Sequence, residues 1–333
     1  MKRKILFALF TLATLNVFAQ KPIEKGLESI TIQAAKAHIE FLADDELEGR
    51  ESGFHGSRVA AQYIVSRLKE LHIQPLFDTG YFQPFKTYRV DHQRVGRWQV
   101  HPDSIAILKQ DTHRALNMKN ILAVIPGKKT DEYVMVGAHY DHLGIDPYLE
   151  GDQIYNGADD NASGVSAVLQ IAKAFVESGQ QPERTVVFAF WDGEEKGLLG
   201  SKYFVQNFDR LDQLKGYLNF DMIGRNNIPE RPTQVVYFYT ESHPAFGKWL
   251  EKDIVKYKLD LDPDYRPWDK PVGGSDNGPF AQKEIPIIWY HTNGHKDYHK
   301  PTDHAEFINW NKVVEISKAS FLNMWHMAND KEF

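Results

Sequence analysis

The chain has 333 residues, of which 39 are Lys or Arg, 45 are Asp or Glu and none is Cys. This length suffices for one large or two ordinary domains, and 42% hydrophobic residues with mixed charges exclude a disordered or collagen-like chain. The absence of Cys excludes disulfides, thiolate metal sites and a Cys nucleophile. Any metal must therefore be held by His, Asp and Glu.

The first 19 residues have the pattern of a secretory signal peptide. Three basic residues at positions 2–4 precede an apolar run at positions 5–18, and the small residue Ala19 follows. This run is too short to span a membrane. We expect cleavage after Ala19 and an exported protein of residues 20–333, periplasmic or secreted. The formal net charge of −6, without a basic block, also argues against nucleic acid as a partner.

The rest of the chain has no repeat or linker and is expected to form a single domain. Helically spaced apolar residues and short apolar runs between turn residues predict helices and strands in alternation. In chain order, these are helices 30–42 and 56–71, strands 120–125 and 133–138, helix 162–177, strand 185–191, helix 197–208, strands 216–221 and 234–239, helix 244–257, strand 285–290 and helix 312–326. Residues 75–118 have no readable pattern. The fold class predicted is α/β, with a mainly parallel mixed sheet sandwiched between helices.

Histidines and carboxylates follow five of the predicted segments. In open α/β sheets, ligands bind beyond the carboxyl ends of the strands, so we expect these side chains to meet at one edge. They are His139, the pair Asp159 and Asp160, the pair Glu194 and Glu195, Asp221, and the group His291, His295 and His299.

Each of these residues has an ordinary structural explanation when it is considered alone. A lone His can be a satisfied core histidine, the two aspartates can cap the following helix, and the two glutamates can form a solvated helix start. Asp221 is different, because it follows apolar residues directly and an unpaired buried carboxylate is costly. The ordinary explanations would require that five separate segments place such residues at the same sheet edge by coincidence, so we disfavour them. The residue types indicate a catalytic metal site rather than a closed structural one.

Five motifs resemble the secreted zinc aminopeptidases with a cocatalytic two-zinc centre, a group that also contains glutamate carboxypeptidases and, more distantly, glutaminyl cyclases. The motifs are GAHYDHLG (137–144), NGADDNASG (156–164), FWDGEEKGLLGS (190–201), LNFDMIG (218–224) and DYHKPTD (297–303). The upstream segment LADDELEGRESGFHG (42–56) is similar to the N-terminal signature of the family. The resemblance implies a phosphorylase/hydrolase-like zinc-peptidase architecture. Some relatives insert an extra domain before the first metal motif, and we expect it to be absent here because only about 35 residues separate Phe85 from Asn120.

The resemblance implies a ligand set for two Zn²⁺ ions per chain. His139 and Asp221 would bind one ion, and Glu195 and His299 would bind the other. Asp160 would bridge the two ions.

The resemblance also implies the acid–base groups. Glu194 would be the general base that takes a proton from the attacking water, and Asp141 would orient the imidazole of His139. Adjacent side chains point in different directions, so Glu195 can reach a metal while Glu194 faces the water.

Other residues near these motifs have more than one interpretation. Asn277 stands where the family usually has a His, which concerns substrate preference more than metal binding. Arg225 can contact a substrate carboxylate or form a structural ion pair. His291 and His295 are expected either in the pocket wall or directly behind the site residues, and Trp289 is expected in the core of the sheet.

The expected function is that of an exported metallo-aminopeptidase that hydrolyses the N-terminal bond of peptides. The alternatives are a glutaminyl cyclase on the same scaffold, which would use one zinc, and a carboxypeptidase or dipeptidase. A non-catalytic relative that keeps the fold as a binding module is a further alternative, although such proteins typically lose ligands or the base. Ligand type alone permits cobalt or manganese in place of zinc.

Overall fold

The computed structural model describes residues 20–90, 97–270 and 274–331. The predicted signal peptide at residues 1–19 lies outside these ranges. None of the helices in the described ranges has the length and apolar character that a bilayer span requires.

Strands and helices alternate over most of the described residues. The strands are β1 (Gln74–Pro75), β2 (Phe82–Val90), β3 (His113–Ile125), β4 (Lys129–His139), β5 (Gly144–Ile145), β6 (Ile154–Tyr155), β7 (Arg184–Trp191), β8 (Leu214–Phe220), β9 (Gln234–Tyr239), β10 (Asp262–Pro267) and β11 (Ile287–His291). The helices are α1 (Pro22–Ser29), α2 (Ile32–Leu42), α3 (His55–Glu70), α4 (Pro102–Leu108), α5 (Gly164–Ser178), α6 (Leu199–Asn207), α7 (Ala245–Tyr257), α8 (Asn277–Ala281) and α9 (Trp310–Asn329).

A nine-stranded mixed sheet forms the centre of the fold, in the order β1-β3-β7-β4-β8-β11-β9-β10, with β2 also paired to β3. The four middle strands β7, β4, β8 and β11 are parallel. Antiparallel pairs flank them, β3 with β7 on one side and β11 with β9 on the other. The predicted α/β fold class is confirmed. Because the four middle strands are parallel, their carboxyl ends share one edge of the sheet.

Helices cover both faces of this sheet. Every residue of β7 is buried, as its uninterrupted apolar sequence predicts for a strand covered on both faces. On one face, α2, α3, α5 and α9 contribute to the larger apolar core, in which Val168, Phe188 and Phe321 are buried. On the other face, α6 and α8 contribute Phe204 and Phe280 to a second core that contains Trp191.

The elements that the sequence does not predict lie at the margins of the sheet. Residues 75–118 contain β2, α4 and the first part of β3, and β2 pairs with β3 along its full length. Strand β10 is an edge strand with a proline at Pro263 and another at Pro267. Edge strands need no continuous apolar run and tolerate proline, so their sequences have no clear strand pattern.

His326 in α9 links this helix to α7 through contacts with carboxylates. His326 Nε2 lies 2.9 Å from Asp253 Oδ2, and Nδ1 lies 2.8 Å from Asp330 Oδ2. Its ring stacks on Trp249 with the ring centroids 5.0 Å apart. Burial lowers the pKa of His326, but the two carboxylates outweigh burial, and the net pKa is raised above the usual value.

We predict that replacement His326→Gln destabilises the protein in a pH-dependent way. A folded-state pKa above the unfolded value means that protonated His326 stabilises the fold below about pH 6.5, and that this stabilisation is lost as the pH rises through the folded pKa. The difference in free energy of unfolding between the parent and the variant should be largest in mildly acidic buffer and shrink at alkaline pH. Urea unfolding across pH measures it, with exposed His113→Gln as the control. A difference that is constant with pH would contradict the assignment.

Candidate metal centre

The carboxyl ends of the parallel strands carry most of the predicted site residues. His139 is the last residue of β4, Asp221 directly follows β8, and Glu194 and Glu195 follow β7. His299 lies in the loop after β11 with a positive φ of 54°. The structure brings these side chains into one group, which we call the metal-site cluster. Its members are His139, His142, Asp160, Glu195, Asp221 and His299.

One half of the metal-site cluster consists of a histidine and two carboxylates. His139 Nε2 lies 3.3 Å from Asp160 Oδ1 and 3.5 Å from Asp221 Oδ1. One ligand atom from each of these three buried residues lies within 4.8 Å of the others. Since zinc ligands lie about 2.0–2.2 Å from the ion, such separations suit three ligands of one ion.

The other half shares Asp160 through its second oxygen. His299 Nε2 lies 3.3 Å from Asp160 Oδ2 and 3.2 Å from Glu195 Oε2. His142 Nδ1 lies 2.7 Å from Glu195 Oε1, and His142, Asp160 and Glu195 form a second group of ligand atoms within 4.8 Å. His142 is thus a member of the cluster, although the sequence alone predicts no role for it. The signal for it was the second His of the motif His139-Tyr140-Asp141-His142.

The electrostatics of the metal-site cluster favour divalent cations. The Nε2 atoms of His139 and His142 are buried, with no hydrogen-bond partner among the described residues. Burial lowers the pKa of His299, but Asp160 and Glu195 raise it to about 10. The carboxylates therefore attract positive charge strongly, and buried imidazole nitrogens without partners are available as ligands. This donor set of imidazoles and carboxylates fits zinc.

Glu194 and Asp141 lie directly beside the metal-site cluster. Asp141 is fully buried, and its carboxylate accepts the backbone N–H groups of Glu194 at 3.1 Å and Glu195 at 3.4 Å, and the hydroxyl of Ser52 at 2.7 Å. The nearest oxygen of this carboxylate to His139 Nδ1 is 3.7 Å away, whereas the backbone carbonyl of Asp141 is at 3.2 Å. Asp141 therefore orients the two glutamates at least as directly as it orients His139.

The backbone around Asp160 is fixed by a sharp turn. Gly157 has a φ of +60°, and a Cβ at this position would lie 2.1 Å from the carbonyl oxygen of Asp160, so only glycine fits. Asp303 Oδ2 accepts the backbone N–H groups of Asp159 and Asp160, each at 3.0 Å. The peptide bond between Asp160 and Asn161 is cis. This turn directs the carboxylate of Asp160 between the two halves of the cluster.

A buried arginine from the N-terminal segment supports the same loops. Arg50 is 1% exposed, and its guanidinium donates to the carbonyl oxygens of Tyr140 at 2.9 Å, Asn156 at 2.6 Å and Gly157 at 2.9 Å, and also to that of Leu42. These carbonyls belong to the loops that carry the histidines and Asp160. Arg50 thus holds the two loops together.

The charge of this guanidinium also matters for the cluster. Burial lowers the pKa of Arg50 to about 10, and Asp160 and Asp141 oppose that shift. The side chain is therefore cationic at neutral pH and offsets part of the negative charge above it. Arg50 belongs to the segment 42–56, which is similar to the N-terminal signature of the family, but the sequence alone predicts no role for it.

A small cavity of about 200 Å³ opens on the metal-site cluster. Carboxylates of Asp160, Glu194 and Asp221 line one side of it. The other wall is formed by Met222, Gly274, Trp289, His291, Gly294, Tyr298 and His299. His291 therefore lies in the pocket wall, as the sequence predicts. Trp289, which the sequence places in the core, stacks on Phe238 and also faces this cavity.

Three further candidate residues lie outside the metal-site cluster. Arg225 is an ion-pair residue, because its guanidinium lies 2.5 Å from Asp297 and 3.5 Å from Asp303. His295 Nε2 lies 3.3 Å from Asp159 Oδ2, and its side chain is 3% exposed, so it lies behind the cavity. Asn277 is buried at the start of α8.

The fold and the cluster define an α/β protein with a candidate two-metal centre at the carboxyl ends of its parallel strands. The family model described as Peptidase family M28 matches residues 120–324, which is more than half of the chain. The chain belongs to this family. The matched region contains the whole metal-site cluster.

The chain is also similar to individual curated proteins. The chain is 34% identical over 170 residues to leupeptin-inactivating enzyme 1 of Streptomyces exfoliatus, which covers 50% of this chain and 34% of that enzyme. The chain therefore spans about a third of the length of the curated relatives that it matches.

Solved structures share the fold. A zinc aminopeptidase from Bacillus subtilis superimposes with a TM-score of 0.68 at 15% identity, over 91% of this chain and 97% of that one. A glutaminyl cyclase from Macrostomum lignano gives a TM-score of 0.66 at 18% identity, over 92% of each chain. At such identities these likenesses show the fold alone.

We predict that Arg50→Lys destabilises the protein by about 2–4 kcal/mol, because an ammonium has no planar fork and leaves buried carbonyl oxygens without donors. Guanidinium chloride unfolding measures the loss. Arg58→Lys, an exposed arginine on α3, is the matched control and should change the free energy of unfolding by about 0.5 kcal/mol or less. If the two variants are equally stable, Arg50 does not hold the loops together.

Proposed function

We propose that the protein is a zinc-dependent aminopeptidase that binds two zinc ions and hydrolyses the N-terminal bond of peptides. The observation that carries this proposal is the sharing of Asp160 by the two halves of the metal-site cluster, one through each oxygen. A bridging carboxylate with a histidine and a further carboxylate on each side is the donor set that a pair of ions needs.

Each half of the cluster would hold one ion. His139, Asp160 and Asp221 would hold the first, and Asp160, Glu195 and His299 the second, with His142 beside Glu195 as a further donor. When bound, the ions supply Lewis acidity that polarises the scissile carbonyl and lowers the pKa of the attacking water.

Glu194 is the proposed general base. Its side chain lines the small cavity, and its backbone N–H is held by Asp141. Burial raises the pKa of Glu194 well above its usual value, although His139 opposes the shift. A carboxylate of raised pKa takes a proton from water more readily and then delivers it to the leaving amine nitrogen.

The lining of the small cavity favours an aminopeptidase over a carboxypeptidase. No Lys or Arg is among the described residues that line it, so the cavity offers no cation to pair with a terminal carboxylate. Arg225, the cation that the sequence offers for a substrate carboxylate, is engaged by Asp297 and Asp303. The volume of about 200 Å³ suits one residue, with Trp289 and Tyr298 as apolar walls.

We predict that Glu194→Gln lowers kcat for an aminoacyl chromogenic substrate by about 10²–10⁴-fold while zinc content stays at two ions per chain. The amide keeps the size of the side chain but cannot accept the proton. Metal analysis and steady-state kinetics on the same preparation measure both quantities.

Two further variants serve as controls for this measurement. Exposed Glu241→Gln should leave both quantities unchanged, and Asp160→Asn should lose zinc together with activity. Nearly intact activity in Glu194→Gln would show that Glu194 is not the base. One zinc per chain, with cyclisation of N-terminal Gln and no hydrolysis, would instead identify a glutaminyl cyclase.

We also propose that the protein is exported, on the basis of residues 1–19. The full-length chain produced in a Gram-negative host should be recovered from the periplasm or the medium with Gln20 as its first residue. Deleting positions 2–19 should retain the protein in the cytoplasm, since the apolar run is the signal for export. Fractionation with N-terminal sequencing measures this, and an exported protein that still begins at Met1 would contradict cleavage.

A further inference from the structure

A second and larger depression begins at the metal-site cluster. It has a volume of about 820 Å³, against about 200 Å³ for the small cavity. We call it the basic groove, because its lining includes Arg89, Arg97, His101, Lys196 and Lys202, and its one carboxylate is the cluster residue Glu195. Glu194 lines the small cavity and Glu195 lines the basic groove, so the two depressions lie on either side of this pair of adjacent residues.

The positive charge of the basic groove is only partly compensated. Lys196 Nζ is paired with Glu51 at 2.8 Å, and His101 lies 3.7 Å from Asp103. Among the residues that the structure describes, no carboxylate pairs with Arg89, Arg97 or Lys202. Lys202 Nζ instead donates to the carbonyl oxygen of Gly197 at 2.9 Å. Within the described ranges, two guanidinium groups and one ammonium are thus left without a carboxylate partner and can contact a bound anion.

Arg89 is oriented by its neighbours. Its guanidinium lies 5.0 Å from the ring centroid of Trp98, a half-buried side chain that also lines the basic groove. The Nε atom of Arg89 is buried and has no hydrogen-bond partner among the described residues. A stacked guanidinium loses less conformational freedom when it binds a carboxylate, which its planar fork matches in geometry.

The relative sizes of the two depressions assign them to the two sides of the scissile bond. An aminopeptidase holds one residue before this bond and a chain of variable length after it. The small cavity has room for about one residue, so the rest of the peptide is assigned to the larger depression on the other side of the Glu194–Glu195 pair. This assignment rests on the proposed function.

We infer that the basic groove binds the part of the peptide that follows the scissile bond and selects for a carboxylate there, supplied by an acidic side chain. A cleft lined with one sign of charge concentrates ligands of the opposite sign, and the cations here have few internal partners. The preferred substrates are therefore peptides with Asp or Glu just after the N-terminal residue.

Matched peptides test this inference on the purified zinc-loaded protein. Leu-Glu-Ala amide and Leu-Gln-Ala amide differ only in one charge, and kcat/KM should be about 3–10-fold higher for the Glu peptide. The ratio should fall toward one at high salt, because salt screens exposed charges. Leu-Gln with a free carboxylate, compared with its amide, shows whether the C-terminal carboxylate serves as well as the side chain.

Variants locate the selectivity in the basic groove. Arg89→Ala and Arg97→Glu should each reduce the ratio of kcat/KM for the Glu peptide over the Gln peptide, and Arg97→Glu should favour Leu-Lys-Ala amide. Lys86→Glu is the control, because Lys86 is exposed on the same strand as Arg89 but lies outside the groove. This variant makes the same charge change as Arg97→Glu and should keep the ratio.

The outcomes separate this inference from the proposed function. If the parent protein does not hydrolyse leucine p-nitroanilide, which carries no carboxylate, the proposed function fails. If it hydrolyses that substrate but treats the Glu and Gln peptides alike, the inference about the basic groove is overturned. It is also overturned if Lys86→Glu reduces the ratio as much as Arg97→Glu does.

Discussion

Repulsion among buried carboxylates is the constraint on which the rest of this structure depends. Asp160, Glu195 and Asp221 meet in the metal-site cluster with Glu194 beside them, and Asp160 is 3% exposed. Charges of one sign at such distances are costly away from water unless opposite charge is near. The imidazoles beside them and the guanidinium of Arg50 beneath supply part of that charge. The remainder is what the proposed pair of divalent cations would provide.

Much of the fold and of the cluster can be predicted from the sequence, because both follow from burial. The run 184–191 is apolar throughout, and the structure shows a strand buried on both faces. Once such strands are recognised as parallel, their ends must share one edge. His139, Asp221 and Glu195 could therefore be grouped without any knowledge of the loops between them. The polar residues at these ends stand out against their apolar context.

The features that escaped prediction depend on contacts between distant segments. Strand β2 pairs along the outer side of β3 and has no apolar run of its own. Arg50 and His142 are polar residues whose partners lie in other loops. The motif marks His142 as a candidate, but the local sequence identifies neither its contact with Glu195 nor the acceptors of Arg50. Trp289 lies in an apolar run typical of the core, and its ring stacks on Phe238 there. It nevertheless also lines the small cavity. In each case, the position and function of the residue or strand depend on the distant segment that it contacts.

The position of Arg50 in the chain affects the order in which the molecule can assemble. Its acceptors on Tyr140, Asn156 and Gly157 lie 90 to 107 residues further along the chain. Contacts of such wide sequence separation form late, because a large loop must be closed first. The guanidinium therefore stays hydrated until the loops that follow β4 and β6 exist to receive it. Completion of the metal-site cluster, whose residues these loops carry, thus belongs to the last stage of folding.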